Sequence, residues 1–129
     1  MTQDHNKQSK GLIEMDSRKY TDFMSKHGII YLVIVDLESY AIVSFGWSYK
    51  LPYAGLLDLF HDEESIKSLN DSLEGEIMPQ AMRQGEVKCL ICKPKNDMLV
   101  GLFYLENRDV AEAYKFGEQL NEELSELLK

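Results

Sequence analysis

The chain has 129 residues, 44% of them apolar and 10% aromatic, which suffices for one compact core and leaves no room for a second domain. Twenty-two Asp and Glu against fourteen Lys and Arg give a net charge of −8, a surface that repels phosphate backbones and anionic lipid and so argues against nucleic-acid or membrane partners. No apolar run approaches a bilayer span, and two cysteines are too few for a disulfide-stapled secreted scaffold, so a reduced, cytoplasmic setting is expected.

Residues 1–10 (MTQDHNKQSK) are polar throughout and carry neither a secretory signal nor a transit peptide pattern; a disordered tail is expected there, with a single domain over residues 11–129. From Ser17 to His27, Tyr20, Phe23, Met24 and His27 recur at i, i+3, i+4, i+7, and Gly28 follows where a C-terminal cap belongs. That predicts a helix. Ile29 to Val35 (IIYLVIV) has no polar alternation, as in a strand covered on both faces. After a polar turn, Ala41, Val43, Phe45, Trp47 and Tyr49 alternate with smaller or more polar residues, predicting an amphipathic strand whose register is fixed by burial of one face.

Between Pro52 and Gly85 no strand pattern is visible. Tyr53, Leu56, Leu57 and Phe60 give a helical stripe, continued by Ile66, Leu69, Leu73 and Ile77. Asp62 with Glu63 and Glu64 reads as a helix start, so this stretch is either two helices hinged near His61 or one bent helix, and Pro79 ends or kinks it. Glu86 to Lys93 and Met98 to Leu105 flank Pro94-Lys95-Asn96-Asp97, which predicts a hairpin. Asn107 is placed to cap a last helix carrying Val110, Ala113, Tyr114, Gly117, Leu120, Leu124, Leu127 and Leu128 on its apolar stripe.

The expected fold class is therefore α+β: an antiparallel sheet sandwiched by helices in the order α-β-β-α(α)-β-β-α. Because the first and last strands are apolar on both faces, the sheet must lie between helix layers, or between one such layer and another subunit. This order, with Val35-Asp36-Leu37-Glu38 in the first hairpin turn and Leu105-Glu106-Asn107 before the last helix, resembles the roadblock/longin superfamily over residues 17–128. Ser39 stands where that turn usually has Gly. The resemblance implies an antiparallel sheet between helices, homodimers formed by sheet extension or by pairing of the middle helices, and a non-enzymatic scaffolding or regulatory role, often toward a small Ras-like GTPase or within a motor-type complex.

The residue chemistry points to no catalytic centre. Cys89 and Cys92 form a C-x-x-C, but at strand spacing they face opposite ways, as buried structural cysteines would, and His5, His27 and His61 show no metal-pair spacing. His61 with Asp62, Glu63 and Glu64 reads as a solvated helix start. No phosphate loop, dinucleotide fingerprint or nucleophile elbow occurs, and neither cofactor nor metal is expected. Lys88, Lys93 and Lys95, near Arg83, are the one local excess of positive charge, read here as guards of an edge strand rather than an anionic groove. Gly117 implies close packing of the last helix on the sheet.

Phe45 is assigned to the core. Trp47, Tyr49, Tyr53, Leu56, Leu57 and Phe60 are the candidate protein-binding residues, because aromatics concentrate at interface hot spots. The leading expectation is a roadblock-like homodimer binding a small GTPase or scaffold subunit. Two other classes fit the pattern: a PAS-like sensory domain enclosing a small ligand, and an acidic inhibitor or immunity-type protein that neutralises a basic partner.

Overall fold

The computed structural model describes residues 17–129; the tail expected over residues 1–10 and the start of the domain at residue 11 lie outside the described residues. In chain order the elements are α1 (Arg18–His27), β1 (Tyr31–Asp36), β2 (Ile42–Gly46), 3-10 helices Ser48–Lys50 and Gly55–Phe60, α2 (Glu63–Ser72), β3 (Gln80–Gln84), β4 (Val87–Lys95), β5 (Met98–Leu105) and α3 (Val110–Leu127). All strand pairs are antiparallel, in the order β2-β1-β5-β4-β3. The α+β sandwich read from the sequence is the fold observed.

Local chemistry sets the boundaries. Gly28 takes a left-handed φ of 71° and its N–H donates to Met24 O, closing α1. The hinge near His61 is real: a 3-10 helix ends at Phe60 and α2 starts afresh, with the Asp62 carboxylate accepting from Ser65 N–H at 2.8 Å. That bond holds the Asp62 carboxyl below the usual range. α2 stops at Ser72, well before Pro79.

Four expectations need correction. The second strand, expected to run through Trp47 and Tyr49, stops at Gly46, and Ser48–Lys50 is a 3-10 helix. Gln80–Gln84 is a fifth strand, pairing with β4 from Gln80↔Ile91 to Gln84↔Val87; as an edge strand with one half-buried apolar residue, Met82, it carries almost no hydrophobic alternation. The β4–β5 turn is tighter than Pro94 to Asp97, since Lys95 already pairs with Met98, and Pro94 sits inside β4 at a break in register between Cys92 and Lys95. The cap of α3 is Asp109, whose carboxylate accepts from Glu112 N–H at 2.9 Å, in place of Asn107.

The central strands β1 and β5 explain the unbroken apolar runs. One face of the sheet carries Leu32, Ile34, Leu90, Leu102 and Tyr104 against Tyr20, Phe23 and Met24 of α1 and Leu120 and Leu124 of α3. The other carries Val33, Val35, Ile91, Leu99 and Phe103 against Leu51, Phe60, Ile66 and Leu69 of the middle segment. Both faces are therefore covered by the chain's own helices. The greasiness of the sheet does not by itself require a second subunit, and an argument for association must come from elsewhere on the surface.

The two layers are offset. On the α1/α3 side, α1 reaches β2 and α3 lies on β4, leaving Ala81 and Arg83 of β3 exposed. On the opposite side the 3-10 helix Gly55–Phe60 reaches β3, leaving Ile42, Ser44 and Gly46 of β2 exposed. Each edge strand is bare on one face, and the bare faces are diagonally opposed.

Candidate functional site: the aromatic strap across the sheet end

The chain from Gly46 to Phe60 crosses one end of the sheet, from edge strand β2 toward edge strand β3, and carries all six candidate binding residues. It leaves β2 at Gly46, whose φ is 93° and whose missing Cβ would collide with Ile30 O and Met24 Cε. Only glycine lets the backbone pass there. Upstream, Phe45 stacks on Tyr20 with ring centroids 5.1 Å apart, on the core side as assigned.

Beyond Gly46 the side chains turn outward. Trp47 is 59% and Tyr49 76% exposed, with ring centroids 5.9 Å apart. They form a ledge at the β2 corner. An open groove of about 670 Å³ separates this ledge from α1, bordered by Thr21, Ser25, Ser44, Phe45, Trp47 and Lys50. Leu51 then dips into the core and divides the strap in two.

Tyr53, 48% exposed, belongs to the other end of the strap. It lies against Gly85 in the β3–β4 turn, where a side chain at 85 would meet its ring, and Gly55 N–H donates to Gln84 Oε1 at 2.9 Å. Leu56 and Leu57 are half-buried against the second core. Phe60 is the clear correction: only 6% exposed, it sits over Gly101, where any Cβ would come within 2.7 Å of its ring, and makes an edge contact with Phe103. It is a core residue. The six candidates therefore do not form one patch; Trp47 and Tyr49 do, Tyr53 stands apart, and the leucines anchor.

Val110 and Tyr114 also depart from expectation. Both lie on the helical stripe assigned to the core, yet both are exposed, as is Ile77. α3 rests on β4 through Ala113, Gly117 and Leu120, and Gly117 does permit a close approach, its absent Cβ lying 3.4 Å from Leu90. Because β3 is bare on this side, Tyr114 overhangs a shallow cleft of about 70 Å³ beside Pro79 and Ala81. The missed strand is the reason this second apolar corner was not legible.

The basic residues do not guard an edge. β4 is an interior strand, and Lys93 donates to Asn70 Oδ1 at 3.0 Å. Lys88 lies 3.5 Å from the Glu106 carboxylate, and Arg83 donates to the carbonyls of Gly85 and Glu106. Glu106 is fully buried. Burial opposes its charge, but the backbone N–H and guanidinium of Arg108, each 3.0 Å from Oε2, together with Lys88, hold its carboxyl below the usual range. This cluster fixes the entry into α3, and Arg108 then lies 3.5 Å over the Phe116 ring.

Cys89 and Cys92 do face opposite ways, one in each core, and burial pushes the Cys92 thiol up to about 12 and that of Cys89 further. Such thiols are poor nucleophiles and poor metal ligands. Among the described residues no three His, Cys, Asp or Glu side chains gather as a metal site, and no helix is long and apolar enough to cross a membrane. The larger hollows are open to solvent, and side chains fill the space between sheet and helices.

A five-stranded antiparallel sheet in this order, between one layer of two helices and one layer of a single helix with a 3-10 strap, is a fold of roadblock/longin type. Myxococcus xanthus MglB shares it, with a TM-score of 0.52 at 10% identity over 83% of this chain and 89% of that one. An MglB described as having a tetrameric arrangement (TM-score 0.49, 13% identity, 83% and 82% covered) and the gliding protein MglB of Thermus thermophilus (0.47, 14%, 83% and 83%) are similar over the same extent. No family model and no curated protein matches the chain.

Proposed function

We propose that this chain is a cytoplasmic, non-enzymatic interaction module of roadblock type that forms a homodimer and regulates or scaffolds a small Ras-like GTPase. The observation that carries the reading is the Trp47–Tyr49 ledge: two large aromatics left in solvent at one corner of a domain whose core is otherwise closed. Aromatic side chains of this kind supply contact area at little entropic cost and dominate interface energetics. Tyr53, Leu56 and Leu57 extend the partner-facing surface along the strap, while Phe60 supports it from beneath. The roadblock/longin fold suggests the class of partner, and the surface chemistry suggests that recognition is by shape and apolar burial.

The test has two readouts. Light scattering at micromolar concentration is expected to give twice the monomer mass. Binding to purified small GTPases, each loaded with GDP or a GTP analogue, is expected to discriminate the two nucleotide states. Trp47→Asp is expected to weaken complex formation by roughly 30-fold, the loss of one hot spot. A protein that is monomeric at every concentration and binds no GTPase in either state overturns the proposal. Binding that instead collapses steeply with salt favours the acidic-inhibitor class.

A further inference from the structure

The groove between α1 and the Trp47 ledge has the shape to take a length of chain. Thr21, Ser25 and Gly28 stand on its α1 wall and Ser44 and Gly46 on its β2 wall, all small, so a backbone can lie between the walls. Met24 and Ile29 floor it and are already buried, while Trp47 closes one side with an indole that is 59% exposed. An apolar segment laid in this slot takes the indole out of water.

The rims of the groove are basic in an acidic protein. It begins at Thr21, one turn into a helix that opens on Arg18 and Lys19 with no acidic residue in its first turn, the charge arrangement that the helix dipole disfavours. Lys50 stands on the opposite rim and, among the described residues, forms no ion pair. An occupant that is both apolar and acidic matches these walls.

We infer that the groove is filled by residues 11–16 of the same chain (GLIEMD), which directly precede Ser17 and lie outside the described residues. Composition selects them. Apart from Met1, every apolar residue before Ser17 falls in this hexapeptide, as Leu12, Ile13 and Met15, and Glu14 and Asp16 bring the acidic groups that match the basic rims. Reach allows it: six extended residues span up to about 20 Å, and Thr21 to Gly28 is about 10 Å of helix, so a segment that turns back at Ser17 can run the length of the groove. Joined to the wall, it meets the groove at an effective concentration on the order of mM, an advantage that neither a partner nor a second copy has at micromolar concentration. The segment thereby competes with whatever binds the Trp47 ledge, a consequence that rests on the interaction reading above; the occupancy itself does not.

Trp47 is the only tryptophan of the chain, so its fluorescence reports on the groove directly. In the full chain, Leu12→Asp combined with Ile13→Asp is expected to shift the Trp47 emission to the red and to raise its acrylamide quenching constant, at every protein concentration and with the circular dichroism unchanged. On oxidation, Ile13→Cys is expected to form a disulfide within the chain when paired with Ser25→Cys and none when paired with Ala81→Cys on β3, the native Cys89 and Cys92 being buried. A Trp47 emission that the double variant leaves unmoved overturns the occupancy. So does an Ile13→Cys, Ser25→Cys pair that fails to link within the chain; links between chains would give the groove to a second copy. An emission that moves only when a small GTPase is added gives the groove to the partner, which overturns the occupancy and leaves the interaction reading intact. A chain that passes both tests yet binds no GTPase loses the interaction reading alone.

Discussion

The two helix layers do the same job with different materials. The α1/α3 layer uses helices of 10 and 18 residues, presenting a regular apolar stripe to the sheet. The opposite layer has one helix of 10 residues and fills the rest with a 3-10 helix and one aromatic ring, Phe60, seated where Gly101 has no side chain. A regular helix distributes its burial over several turns. The irregular strap concentrates it at Leu51 and Phe60, and so leaves neighbouring side chains such as Trp47 and Tyr49 with nothing to rest on. Exposure of the ledge is thus a consequence of how thinly that face is covered.

The sharpest way to break this comparison is to remove the anchor. Phe60→Ala is expected to cost about 3–5 kcal/mol, as much as or more than the about 2–5 kcal/mol expected for Leu124→Ala on the other face, because the sheet cannot refill the space over Gly101. Urea unfolding measures both. Hydrogen exchange should also accelerate from Gly55 to Leu59 in the Phe60 variant but not in the Leu124 variant. A cost below about 1 kcal/mol for Phe60→Ala would show that the strap is not part of the cooperative core.

The helix caps provide a milder comparison. Asp62→Ala and Asp109→Ala each remove one side-chain bond to a helix N-terminus and should each cost about 1 kcal/mol. In the α2 layer that loss falls on a 10-residue helix, so Asp62→Ala should loosen α2 locally. Asp109→Ala should lower global stability without local fraying, since α3 is tied further along by Leu120 and Leu124. Equal protection patterns in the two variants would erase the distinction between the layers.

What was legible in the sequence follows from the same contrast. The runs at Ile29 to Val35 and Met98 to Leu105, and the stripes of the first and last helices, declare themselves because burial there is periodic. β3 does not: an edge strand paired on one side needs only Met82 and its ladder bonds, and QAMRQ carries no alternation to read. Phe60 and Trp47 look alike as aromatics of one run, yet one is core and the other surface. What separates them is Gly101, forty-one positions after Phe60 in the chain, and no local pattern encodes that contact. Likewise Lys88 and Arg83 read as edge guards until tertiary pairing sets them around the buried Glu106.

The smallest expected effect lies where the two helices of the thicker layer meet. Glu123 on α3 accepts hydrogen bonds from Gln119 at 2.9 Å and from Lys26 at 3.3 Å, and its Oε1 lies 2.9 Å from Nε2 of His27 at the end of α1. The His27 ring is itself held edge-on by Phe23 and Phe116. The Gln119 and His27 contacts lead in lowering the Glu123 carboxyl from 4.5 to about 2. A carboxyl that binds its proton less tightly in the folded chain stabilises that chain above its unfolded pKa and stops doing so as the pH falls through the folded value. The stability advantage of the native protein over Glu123→Gln should therefore be complete above pH 4.5 and vanish as the pH falls to about 2. Because the carboxylate is partly solvated, added salt should shrink the difference throughout that window. Urea midpoints of the two proteins at a series of pH values measure it, and an advantage that persists unchanged at the acid end would mean that α1 and α3 are joined by packing alone.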